Sequence, residues 1–304
     1  FDRFMLEEQF GWRVAKYCPD ALRILDTEDL HSLRHARHQA LKQNRHLTNL
    51  DLNNDIAKRE IAAIFRCDLS LIISDYELSL LKNHFSIPEN ILHHCPFMLD
   101  LRHFTYAEKN YSDRQHFISI GNFRHEPNWD ATLVLNQIIW PLIRKKLPKV
   151  ELHIYGAYPP PKATQLHNLK EGFLVKGWAE DAKHKMQQAR VCLAPLRFGA
   201  GIKGKLAEAM FCGTPNVTTN IGIEGMTLGL DWSGLSTDLD KFDNHKNSAE
   251  HFAEHAIQLY QNEELWQQKQ QNGYRLINAN FDKDKIQPKI LARIGEIQDN
   301  LESH

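Results

Sequence analysis

Short apolar runs alternate along the chain with longer amphipathic segments, and that alternation predicts parallel α/β architecture. In the first third, residues 21–26 (ALRILD) read as a strand and residues 30–41 and 55–65 as helices. Residues 69–74 (LSLIIS) read as a buried strand, 77–84 as a helix and 91–95 as a short strand. Residues 96–113, with Pro96, Tyr106 and Asn110, are polar and irregular and read as a linker. The alternation then sharpens. Residues 117–121 (FISIG) and 150–156 (VELHIYG) are strands ending in glycine, with a helix over 129–146 between them. Further strands fall at 173–175, 191–196 (VCLAPL) and 216–219, with helices over 181–189 and 205–212. A doubly wound domain of this kind takes ligands at the C-terminal ends of its strands. From residue 248 onward the pattern is amphipathic helix.

Composition narrows the picture. The 304 residues carry 37 Lys plus Arg against 38 Asp plus Glu, so no excess of positive charge favours nucleic acid as a partner. Hydrophobic residues at 42% allow a buried core. No apolar run reaches the length of a spanning helix, and no secretory leader is visible. Five scattered cysteines without a Cys-x-x-Cys pair disfavour a disulfide framework or zinc ribbon and fit a reducing cytoplasm. His31, His35 and His38 share one helix face, but Arg34 and Arg37 flank them, so no metal site is assigned. Trp129 and Trp140 fit a helix core, and Arg144, Lys145 and Lys146 a solvated helix end.

The segment PLRFGAGIKGKLAEAMFCG, residues 195–213, carries the chemistry. Its glycines permit close backbone approach, and the helix behind them offers unpaired N–H groups to an anion. Arg197, Lys203 and Lys205 set cations around the same point, and Glu208 lies three residues beyond Lys205. The pattern suits a diphosphate, with Glu208 positioned for a ribose diol. It matches neither the Walker A loop nor the dinucleotide Gly-x-Gly-x-x-Gly fingerprint. The plainer reading is a glycine-rich turn beside a surface ion pair.

In order, these pieces resemble the C-terminal domain of GT-B glycosyltransferases of the group 1, family 4 type. Residues 119–123 (SIGNF) with 127–131 (PNWDA), 152–156 (LHIYG), 175–178 (VKGW) and LAEAM…GTP over 206–215 resemble that domain's strands, turns and Glu-Ala-Met signature. NVTT at 216–219 and GIEGM at 222–226 continue it. More weakly, 25–34 (LDTEDLHSLR) and 72–77 (IISDYE) resemble the acceptor-side domain, with Ser74 as N-cap and Glu77 at N3 of a Ser-x-x-Glu helix start. Two departures stand out. The family's first carboxylate, eight residues before Glu208, is Ala200 here, and Arg124 has no following Lys.

The resemblance implies two Rossmann-like domains facing a cleft: an acceptor-side domain over 1–112, a donor-binding domain over 113–282, and a C-terminal helix over 283–304 that packs back on the first domain. It implies retaining, metal-independent sugar transfer from a UDP- or GDP-linked donor to a saccharide or lipid-linked acceptor, without a cofactor. Arg197 and Lys203 would stabilise the leaving phosphate. Gly121, Asn122, Arg124, Gly177, Gly201, Gly204, Lys205, Glu208, Thr219, Glu224 and Gly225 would hold the donor, and Asp26, Asp29 and His31 would face the acceptor. The plainer role of Asp29 is a helix N-cap. Expected partners exclude nucleic acid and include at most peripheral membrane contact, at the cytoplasmic face. The opening Phe1-Asp2-Arg3-Phe4 reads as the end of a mid-domain strand, so the acceptor-side domain is expected to lack its first elements. Two other classes stay open: a non-catalytic nucleotide-sugar-binding or scaffold module, and an epimerase of the same architecture.

Overall fold

The computed structural model describes residues 1–102, 109–238 and 245–302; Tyr106, part of the expected linker, lies outside them. Two parallel sheets organise the chain. The first contains β1 (Ile24–Asp26), β2 (Leu69–Ile72) and β3 (Leu92–His94) in the order β1-β2-β3. Leu69 and Ile72 are fully buried, as expected of a central strand covered on both faces. Helices Arg3–Tyr17, His31–Lys42, Asp55–Arg66 and Asp75–Asn83 accompany this sheet.

The opening residues are strand-like only in part. The Phe1 carbonyl accepts from Asp26 N at 2.8 Å, and Asp2 bridges Asp26 in parallel. Arg3 and Phe4, expected in the same strand, instead begin the helix Arg3–Tyr17. Phe4 turns into the domain core against Leu25, Leu33 and Ile64.

The second sheet contains β4 (Gln115–Ile120), β5 (Leu152–Tyr155), β6 (Phe173–Gly177), β7 (Ala189–Ala194), β8 (Asn216–Thr219) and β9 (Gly234–Thr237). Their order is β6-β5-β4-β7-β8-β9, and every pairing is parallel. Numbered within this domain, that is the doubly wound order 3-2-1-4-5-6. Strand β9 has no counterpart in the sequence reading. Its residues Gly-Leu-Ser-Thr carry a single large apolar side chain, so no apolar run marks it.

Apolar residues of β4, β5, β7 and β8 (Phe117, Leu152, Val191, Leu193, Val217) share one core with Leu135, Ile139, Ile143 and Phe252 of the covering helices. The helix expected from residue 129 begins at Glu126, with Pro127 in its first turn. It continues through a π-helical segment, Leu135–Ile139, into Trp140–Lys146. Pro141 has no N–H to donate, which accounts for the irregular turn just before it. Trp140 is buried and donates to the Glu171 carbonyl at 2.8 Å.

The strand-ending glycine of β5 has a steric reason. A Cβ at Gly156 would sit 2.2 Å from the Gly121 carbonyl oxygen and 2.7 Å from the Phe123 ring. Three helices close the chain: His245–Gln261, Glu263–Asn280 and Lys283–Glu302. Between the last two the chain meets the inter-domain connection. Leu99 N donates to the Phe281 carbonyl at 2.7 Å, and Lys283 N donates to the Leu99 carbonyl at 2.9 Å. Beyond this, Arg293 donates to the Asn90 carbonyl beside β3. Among the described residues no helix is long and apolar enough to cross a membrane.

Candidate functional site

In the order 3-2-1-4-5-6 the chain reverses direction between β4 and β7, and the loops leaving those two strands diverge. A cavity of about 320 Å³ opens there. Ile120, Gly121, His125 and Asn128 come from the β4 side, and Leu196, Phe198 and residues 199–200 and 202–205 from the β7 side. Glu208 lies one turn further along helix Gly204–Phe211.

Lys203 is the N-cap residue of that helix and is buried; its ammonium donates to the Gly201 carbonyl at 2.6 Å. Burial pushes it down to about 8. Lys205 is half-buried and donates to Asn128 Oδ1 at 2.6 Å, and loss of solvent holds it below the usual ammonium range. Among the described residues neither ammonium makes a salt bridge. Glu224, Glu77 and Asp29 lie close enough to favour the charged form of Lys203 without pairing with it directly, and a wall carrying these two lysines attracts an anion. Burial likewise raises the Glu208 carboxyl, an effect partly offset by Lys183. Glu208 and Gly204 also border a second, more apolar cavity of about 430 Å³ with Phe97, Leu99, Lys183 and Phe211. The glycine loop, both lysines and Glu208 therefore share one site.

Other expected donor residues are placed differently. Gly121 lets Asn128 pack where its Cβ would be, and Asn122 Oδ1 accepts from Arg124 N at 2.9 Å. The Arg124 guanidinium lies over the Tyr158 ring, 3.9 Å from its centroid, and does not border the cavity. Gly177 ends β6 with a positive φ of 73°. Arg197 forms a bidentate pair with Asp130, with Nε 2.9 Å from Oδ2. It borders a separate cavity with Arg37, Arg45, His46, Asn220 and Glu224. Thr219 is buried as an N-cap: its hydroxyl donates to the Leu196 carbonyl and accepts from Gly222 N.

Much of what surrounds the glycine loop comes from the first domain. Arg37, on helix His31–Lys42, donates to the Gly199 carbonyl at 2.8 Å and to both Glu224 oxygens at 2.8 and 2.7 Å. Glu224 is thus engaged by the first domain. His38, on the same helix, stacks on Phe198 at 4.3 Å, and its Nδ1 lies 3.1 Å from Glu126 Oε2. Gly225 packs against Ser74, whose Oγ lies 2.2 Å from where a Cβ would be. Gly201, in the left-handed region with φ 62°, packs against Asp29 and the Glu28 carbonyl. Its N–H, expected to serve the phosphate, donates instead to Glu77 Oε1 at 2.7 Å.

The acceptor-side residues also differ from expectation. Ser74 is the N-cap of helix Asp75–Asn83, accepting from Glu77 N. Glu77 does not close a capping box with it; its Oε1 also accepts from Leu30 N at 3.0 Å. Asp29 is no N-cap. Leu30 holds that position and has no side-chain oxygen, so Glu60 takes over, accepting from His31 N at 2.7 Å and Ser32 N at 3.0 Å. Asp29 pairs with Arg34 and lies 3.4 Å from His31 Nε2. Asp26 is exposed at the end of β1 and accepts from Glu28 N. Arg37, His38, Glu77, His125, Asn128 and Asp130 were not singled out from the sequence as site residues. The signals present were the Ser-x-x-Glu spacing at Glu77 and the Pro-Asn-Trp-Asp-Ala segment that holds Asn128 and Asp130. Among the described residues no three or more His, Cys, Asp or Glu side chains are grouped to hold a metal ion.

Residues 114–262 match the family model described as glycosyl transferases group 1. This second domain is a group 1 glycosyl transferase domain. The solved structures similar to the whole chain share its GT-B fold. A mutant of S. aureus TarM, in complex with Fondaparinux, alpha-GlcNAc-glycerol and UDP, superimposes with a TM-score of 0.69 at 14% identity, over 90% of this chain and 50% of that one. The pneumococcal O-GlcNAc transferase GtfA, in complex with UDP and GlcNAc, gives 0.69 at 16% identity, over 94% and 55%. Sucrose-phosphate synthase from Thermosynechococcus elongatus gives 0.66 at 17% identity, over 99% and 73%. At such identities the likeness is one of fold. The chain spans 50 to 60% of the length of TarM and GtfA. No curated protein matches it. In this group 1 domain the switch-point cavity occupies the place where doubly wound sheets bind their ligands.

Proposed function

We propose that the protein takes part in retaining, metal-independent transfer of a sugar from a UDP- or GDP-linked donor to a saccharide or lipid-linked acceptor. The observation that carries this is the pair of lysines, Lys203 and Lys205, bordering the switch-point cavity of a group 1 domain without salt-bridge partners among the described residues. When the bond between the anomeric carbon and the diphosphate breaks, negative charge grows on the leaving phosphate. Cations and helix N–H groups already aimed there stabilise it without reorganisation. Lys203, Lys205 and the first turn of helix Gly204–Phe211 fill that role. Glu208, one turn on, accepts from the ribose diol. Arg197, held by Asp130, contributes from the neighbouring cavity once a longer ligand spans both.

Calorimetric titration of UDP and GDP into the wild-type chain and Lys203→Ala tests the reading. Binding that is lost or strongly weakened in the variant is expected, and unchanged affinity refutes it. A binding or scaffold module without catalysis is the second reading, favoured by Ala200 at the place of the family's first carboxylate. Nucleotide-sugar binding with neither transfer nor slow donor hydrolysis would select it.

A further inference from the structure

We propose that Glu77 is a positioning residue through which the first domain sets the conformation of the phosphate-binding loop. This rests on the donor reading of the switch-point cavity. The carboxylate is fully buried, and one oxygen, Oε1, accepts from two backbone N–H groups in different domains: Leu30 N at 3.0 Å and Gly201 N at 2.7 Å. The second oxygen, Oε2, is buried without a hydrogen-bond partner.

Leaving a carboxylate oxygen unsatisfied in the interior is expensive, and such a group persists where the surrounding structure requires it. Gly201 is what requires it. Its left-handed backbone presses against Asp29 and Glu28 with no room for a Cβ, so the loop meets the first domain at van der Waals distance. Two residues earlier, the Gly199 carbonyl accepts from Arg37. The first domain thus grips the loop twice, by a carbonyl at 199 and an N–H at 201. Between these lies Ala200, and immediately beyond them Lys203 reaches back to the Gly201 carbonyl.

Glu77 does not border the cavity, so its action on a ligand is indirect. With Glu77 in place, Gly201 keeps the φ that directs its carbonyl to the Lys203 ammonium, and that ammonium is held at the cavity wall. Without it, the 199–203 turn is free to relax and the cation is no longer held in place. Domain apposition and donor affinity are therefore coupled through one carboxylate.

The test uses the full chain and three variants. Glu77→Gln keeps an accepting oxygen, Glu77→Ala removes it, and Glu77→Asp keeps the carboxyl group but withdraws it by about 1.5 Å, one carbon–carbon bond. Hydrogen exchange is followed in peptides covering 196–205, and affinity is measured for UDP or GDP, whichever the wild type binds. Glu77→Ala and Glu77→Asp are expected to speed exchange at 199–203 and to weaken nucleotide affinity by about tenfold, the loss of roughly one hydrogen-bonded contact. Glu77→Gln is expected to stay near wild type in both. If the alanine variant does not fold, the aspartate variant decides. Faster exchange confined to the start of helix His31–Lys42, with loop exchange and affinity unchanged, would show that Glu77 only caps that helix and overturn the proposal. If the wild type binds neither nucleotide, the donor reading fails by itself, and loop exchange still decides whether Glu77 sets the loop.

Discussion

Replacing Arg37 by alanine gives the sharpest energetic test of how the two domains are joined. The guanidinium makes a bidentate pair with Glu224 at 2.7–2.8 Å and donates to the Gly199 carbonyl. Both charged side chains are largely withdrawn from solvent, at 9% and 15% exposure. Breaking a fully buried pair by removing one partner costs about 3–5 kcal/mol, chiefly because the other charge is left stranded. Residual solvent at Glu224 reduces this, so about 2–4 kcal/mol is expected for Arg37→Ala. The assay is urea unfolding of the wild type, Arg37→Ala, Glu224→Ala and the double variant, read as a double-mutant cycle. The second substitution removes the charge stranded by the first, so the double variant should lose less than the sum of the singles, by about 2 kcal/mol. A loss below about 1 kcal/mol in Arg37→Ala, or a coupling energy near zero, would show that the pair is a solvated surface contact and refute the reasoning.

Three further outcomes are expected. Glu208→Ala should weaken UDP binding by about 10- to 100-fold, the loss of about 1.5–3 kcal/mol from hydrogen bonds to a charged acceptor, while leaving affinity for a 2′,3′-dideoxy analogue unchanged; equal losses for both ligands would remove the ribose role. Gly156→Ala forces a Cβ into the Gly121 carbonyl and the Phe123 ring and should cost at least about 1–3 kcal/mol in urea unfolding; a neutral substitution would show that the β4 and β5 turns can separate freely. His116, stacked 3.9 Å from His153, is pushed down to about 3 by burial, with the neighbouring His153 adding to the effect. The unfolded chain takes up that proton near pH 6.5 and the folded chain does not, so stability falls as pH drops from about 6.5 towards 3, by up to about 1.4 kcal/mol per pH unit. His116→Phe should flatten that slope, and an unchanged pH profile would assign the acid sensitivity elsewhere.

Periodicity made most of the second domain legible. Strands β4, β5 and β7 carry apolar runs such as Phe-Ile-Ser-Ile and Val-Cys-Leu-Ala, β8 shows itself by its β-branched Val-Thr-Thr, and their parallel pairing follows from the alternation with helices. Strand β9 escaped because Gly-Leu-Ser-Thr has too little apolar character to register. The helix Arg3–Tyr17 gave no clear period either, since it exposes Met5, Leu6, Phe10, Trp12 and Tyr17 while burying Phe4, Glu7 and Gly11. At the site, Lys203, Lys205 and Glu208 were readable because one loop and one helix turn bring them together. Glu77, Arg37 and Asp130 meet their partners across 47 to 187 residues of chain. Spacing along the sequence carries no information about such pairs. The Ser74-x-x-Glu77 spacing did mark a helix start, but a local rule predicts a local partner, and Glu77 spends its carboxylate on Leu30 and Gly201.

The hydrogen bonds that Leu99 makes with Phe281 and Lys283 have a mechanical consequence. The chain passes between the domains twice, once on the way from β3 to β4 and once on the return to helix Lys283–Glu302, and these two passages are zipped to each other. A single tether would leave the domains free to twist, slide and swing. Two tethers joined at Leu99 hold the domains together at that point more firmly than one would. If the domains part, the contacts farthest from Leu99 are the ones able to separate most.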